Sequence, residues 1–227
     1  MTSRPHAGAS AEPSSTAEQM PLFAAGRIDE LPLFPLGTVL FPDGVLPLRV
    51  FEARYMDMVR DCLREGCSFG VCLITEGHDV GQPAEFEPIG CSARITAWDM
   101  EQLGLLNIRA VGRQRFAVES HRIEKDGLVV ATVNWLGADD EVDVPDDHRG
   151  CVQLLRRIVS DLVDKETEPM RRMIEPPYRF ESACWVSNRL CEFLPVSAAT
   201  KQKLMTLDDP LARLSIVSDY LHRQQVI

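Results

Sequence analysis

Residues 31–65, LPLFPLGTVLFPDGVLPLRVFEARYMDMVRDCLRE, constrain the fold more than any other stretch of the chain. Leu33, Phe34, Leu36, Val39, Leu40, Phe41, Val45, Leu46, Leu48 and Val50 form a dense apolar run that Pro32, Pro35, Pro42 and Pro47 interrupt. Proline donates no backbone N–H and biases its predecessor toward extended geometry. The run therefore predicts a kinked, extended path rather than a helix or a central strand. Pro42-Asp43-Gly44 reads as a turn. From Glu52 the prolines stop, and Met56, Val59 and Leu63 fall on the spacing of an amphipathic helix that Gly66 can end.

The segment 31–55, LPLFPLGTVLFPDGVLPLRVFEARY, resembles the amino-terminal, substrate-binding domain of Lon proteases, a domain also found as a small bacterial protein and within cereblon. IRAVGRQRF (108–116) and LPVSAATKQKLMTLDDPLARLSIVSDYL (194–221) continue the agreement, so the resemblance runs from about residue 31 onward. It implies an α+β fold in which a β-rich, PUA-like pseudo-barrel lobe precedes a C-terminal helical bundle lobe. It also implies a role in holding protein substrates rather than cutting them.

The residues read independently agree with that order. Residues 1–28 are rich in Ala, Ser, Pro and Glu without periodicity and read as a disordered tail, with Met20 a candidate start. Residues 69–75 read as a buried strand and 76–87 as a loop. Segments 89–100 and 103–111 form two strands around the link Glu101-Gln102, and 115–124 and 128–135 flank the hairpin signal Asp126-Gly127. That makes five or six mostly antiparallel strands over 29–137. The acidic run 137–147 marks a boundary. Beyond it, over 146–227, one helix carries Val152, Leu155, Val159 and Leu162, and a second spans 181–194. Ser197 caps a third, and Asp209-Pro210 opens the last.

Composition excludes several classes. No run approaches the roughly 20 apolar residues of a membrane span, and no signal-peptide core is visible, so the cytoplasm is expected. The net charge of −10 opposes binding to nucleic acid. Arg109, Arg113, Arg115 and Arg122 nevertheless cluster, and PUA-like folds include RNA binders, so an RNA-binding module is the alternative reading. Cys62, Cys67 and Cys72 are each separated by four residues and no CxxC pair occurs, so no metal site is expected and the thiols read as small core hydrophobes. No Gly-Lys dipeptide occurs, which excludes a phosphate-binding GxxxxGK[ST] loop.

The expected function is therefore non-enzymatic and without cofactor: capture of unfolded or extended peptide segments for a separate protease. Phe34, Phe41, Leu46, Arg49 and Tyr55 are the peptide-binding candidates, lining a groove or an edge that an extended chain can join. Glu52 and Arg54 either grip a peptide or fix the helix start and pin the proline-rich segment.

Overall fold

The computed structural model describes residues 27–227 apart from 79, 82, 83 and 167. The expected tail, with Met20, lies outside the described residues up to residue 26. Strands fill the first half of the described chain and helices the second. β1 (Arg27–Leu36), β2 (Val45–Val50), α1 (Ala53–Glu65), β3 (Phe69–Glu76), β4 (Glu85–Phe86), β5 (Ile89–Gln102), β6 (Leu105–Ile123) and β7 (Val129–Trp135) come first. α2 (Arg149–Lys165), α3 (Ala183–Phe193), α4 (Ala198–Met205) and α5 (Pro210–Arg223) follow. No helix among the described residues is long and apolar enough to cross a membrane.

The strands run in the order β1-β7-β6-β5-β3, and a parallel β1–β3 pairing joins the two ends. The result is a closed ring of five strands, with β2 added to β6 and the two-residue β4 added to β3. Closure pairs the two ends of the ring with each other, while β2 and β4, each with one strand partner, keep an outer edge. The other pairings are antiparallel.

Two strand expectations need correction. β1 has strand partners on both sides although it contains Pro32 and Pro35. The sheet tolerates them because the partners divide the strand: β7 pairs with Arg27 to Leu33, and β3 pairs with Leu33 to Leu36. Each proline thus has a partner on one side and a free edge on the other, where a missing N–H leaves no ladder bond unmade. Segments 103–111 and 115–124 are not two strands but one, β6, which pairs with β2 through Val111 and with β7 from Phe116. The hairpin turn lies at Leu103-Gly104, since Gln102 pairs with Leu105 and Gly104 takes φ of 83°. The described residues form seven strands.

The turn at Pro42-Asp43-Gly44 forms as expected, closed by Gly44 N–H donating to the Phe41 carbonyl at 2.9 Å. α1 ends at Gly66, in the left-handed region at φ 67°. Its buried stripe is Tyr55, Met58, Val59 and Cys62, which leaves Leu63 exposed. In the helical half Ser182, Ser197 and Asp209 each accept hydrogen bonds from first-turn amides of α3, α4 and α5. Leu155, Val159, Trp185, Leu190, Leu214, Val217 and Leu221 meet in one core, into which Phe41 inserts from the strand half.

Candidate functional site

Four of the five peptide-binding candidates point inward. Phe34 stacks on Tyr55, centroids 3.8 Å apart and planes 13° from parallel, and Leu46 belongs to the same core. Phe41 is fully buried against the helices. Arg49 alone is exposed. Arg54 is buried, pairs with Glu52 at 2.9 Å and donates to the Gly127 carbonyl at 3.0 Å, so this pair ties the start of α1 to the β6–β7 turn.

The four clustered arginines make no common basic face. Arg109 is buried and donates to the Arg172 carbonyl from Nε at 3.2 Å and Nη2 at 3.1 Å. Its Nη1 reaches the Glu175 carboxylate. Arg115 is buried too, donating to the Met205 and Leu207 carbonyls at 3.0 Å each and pairing with Asp139. Arg122 pairs with Glu30 at 3.0 Å and Glu124 at 2.8 Å, leaving Arg113 exposed. An electrostatic phosphate tract needs accessible, aligned cations, and two of these four serve the interior instead.

Groups that sequence reasoning passed over complete this interior. Asp139 accepts from both Arg115 and Arg213, and Arg213 also donates to the Leu207 carbonyl at 2.7 Å. Arg189 donates to the carbonyls of Asp43 and Pro42. The one local signal was Arg189 itself, a cation four residues after Trp185 on the apolar stripe of α3. Glu192, 3.1 Å from Arg189, is pushed up to about 7 by burial, against the opposing pull of Arg189 and Lys201.

Two clefts lie along one face of the sheet, opposite the segment 168–179. There the register sets Arg49, Asn107 and Asp99 in a row across β2, β6 and β5. They line a cleft of about 550 Å³ together with Glu168 and Arg171. Farther along β6 a second cleft, of about 440 Å³, is lined by Val111, Arg113, Glu175 and Pro176 among others. Arg109, crossing from β6 to Arg172 and Glu175, stands between the two. The end of the β5–β6 hairpin is apolar: Trp98 is 57% exposed, Met100 44%, and Leu103 wholly so. Phe51, 53% exposed, follows Val50, which pairs with Leu106 at this same end.

The family model for the ATP-dependent protease La (LON) substrate-binding domain matches residues 30–223. The chain belongs to this family. A crystal structure of a Lon N-terminal domain protein from Xanthomonas campestris is 36% identical, with a TM-score of 0.68 over 85% of this chain and 99% of that one. The N-terminal domain of a Mycobacterium avium complex Lon protease shares the fold at 15% identity, with a TM-score of 0.54. Cereblon from Danio rerio is 31% identical over 48% of this chain, and Lon protease 1 from Bdellovibrio bacteriovorus 23% over 78%. The matches span only 26% and 22% of those two relatives.

Within this LON substrate-binding domain burial favours the neutral form of most of the thiols. Burial pushes Cys72, Cys91, Cys184 and Cys191 up to about 12 and raises Cys62 as well. Each stays a neutral thiol near neutral pH, whereas nucleophilic attack needs the thiolate.

Proposed function

We propose that this chain captures exposed apolar segments of unfolded or extended polypeptides, performs no chemistry on them, and presents them to a separate protease in the cytoplasm. The observation that carries the reading is the apolar end of the β5–β6 hairpin, where Phe51, Trp98, Met100 and Leu103 stand exposed together. Large apolar side chains left exposed at one end of the sheet, on a chain of net charge −10, mark a contact site rather than a solvated face. The clefts beside it supply polar partners for an extended backbone, and Arg49 is the sequence candidate placed to provide one. Phe34, Phe41, Leu46 and Tyr55 serve the same site from within, by fixing the strands that frame it.

The strand-rich lobe, 29–137, and the helical lobe, 146–227, act in this reading as one unit. Arg109, Arg115 and Arg189 support it, each bridging the two with buried hydrogen bonds.

Fluorescence anisotropy with a labelled unfolded polypeptide tests the reading, run at low and high salt beside a labelled structured RNA. Polypeptide binding that survives high salt, and that weakens about tenfold in a Trp98→Ser, Leu103→Ser double variant, is the expected result. Salt-sensitive binding of the RNA alone would overturn it.

A further inference from the structure

The cleft of about 440 Å³ joins apolar walls to a single open cation. Val45 and Val111 on the sheet face Pro176, Pro177 and Trp185 on the helical side. Of the charged side chains around it, Glu175 is taken by Arg109 and Asp43 by Arg179, which also pairs with Glu141 at 3.2 Å. Arg113 makes no side-chain hydrogen bond or ion pair with any described residue. An incoming group thus finds one guanidinium fork unoccupied and, nearby, three carboxylates shared between two arginines.

This charge pattern selects the ligand. A dianionic phosphate would gain one partner and face three carboxylates at short range. A single carboxylate matches the planar fork with two parallel N–H···O bonds and adds half the negative charge of the phosphate. The apolar walls suit an aliphatic side chain carried next to that carboxylate. Only the last residue of a polypeptide sets a carboxylate directly beside an aliphatic side chain, which suits a chain terminus better than a continuing chain.

Resting on the capture of extended polypeptides argued above, we infer that the Arg113 cleft receives the C-terminal residue of a bound polypeptide. Arg113 holds the terminal α-carboxylate, and the valines, prolines and Trp185 enclose an aliphatic last side chain.

The test uses three labelled peptides of one apolar sequence ending in valine: a free acid, a C-terminal amide, and an amide with glutamate as its penultimate residue. Anisotropy of the full chain should show the free acid bound about tenfold more tightly than either amide. Arg113→Gln should erase that advantage, Arg113→Lys should restore part of it, and Arg60→Gln, on the exposed face of α1, should leave it intact. Equal affinity for acid and amide in the native chain would overturn the inference while leaving polypeptide capture standing. An amide with glutamate that binds like the free acid would also overturn it, because the cleft would then be reading a side-chain carboxylate. Failure of all three peptides to bind would remove the capture reading along with it.

Discussion

The Arg189 guanidinium, carried on α3, closes on the Asp43 carbonyl oxygen at 2.5 Å. Its other arm takes the Pro42 carbonyl at 2.6 Å, so one helix residue holds two successive carbonyls of a tight turn in the strand half. Asp43 has φ of 61°, a left-handed conformation that non-glycine residues adopt only when their surroundings enforce it. The bonds from Arg189 are part of that enforcement.

Replacing Arg189 by methionine keeps the bulk and deletes the donors. Two carbonyls then lose their partners and Glu192 loses its cation, so the expected loss is about 2–5 kcal/mol of unfolding free energy. Urea denaturation followed by tryptophan fluorescence measures it, and a loss under about 1 kcal/mol would show that the turn holds itself.

Asp139 is the anion between two buried cations. Asp139→Asn leaves Arg115 and Arg213 facing each other with their carbonyl bonds intact but no countercharge inside. Breaking such a buried pair from one side costs about 3–5 kcal/mol. Asp208, 3.3 Å from Arg115 but 89% exposed, serves as the control: Asp208→Asn should shift the denaturation midpoint little.

Glu192 gives stability a pH dependence of unusual sign for a carboxylate. Its folded-state pKa, about 7, lies above the ordinary 4.5, so between those values the folded chain holds a proton that the unfolded chain releases. Stability contributed by this group is therefore full below about pH 4.5 and declines as pH rises toward 7. The upper bound is about 3 kcal/mol. The fifth of the side chain that stays exposed lowers it. Glu192→Gln should flatten the stability profile across this window, and a slope unchanged from the native chain would mean that Glu192 is ionised throughout.

Local chemistry made part of this fold legible. Ser197 and Asp209-Pro210 announced helix starts, Gly66 a helix end, and Asp126-Gly127 a hairpin, because each acts within a few residues of itself. β6 was read as two strands because its continuity depends on partners: it leaves β2 and takes up β7 across Gly112-Arg113-Gln114, and nothing within those residues records the exchange. The prolines of β1 misled for a similar reason, since a strand whose two edges are used in turn can hold residues that a doubly paired strand cannot. The site was least visible. Phe34, Leu46 and Tyr55 look alike as exposed anchors or as core until the fold is known. The partners of Arg109 and Arg189 lie 63 and 146 residues away in the chain.

The ring of strands also imposes a timetable on synthesis. β1 leaves the ribosome first, carrying Leu31, Leu33, Phe34 and Leu36, yet its antiparallel partner ends at Trp135. At about 5–20 residues per second the nascent chain waits roughly 5–20 s between the two. Through that interval β3 is the strand that can pair with the apolar first strand and Tyr55 of α1 can stack on its Phe34, while Arg189, which clamps the turn behind it, is translated later still. A chain proposed here to catch the exposed apolar segments of others thus exposes such a segment of its own during synthesis.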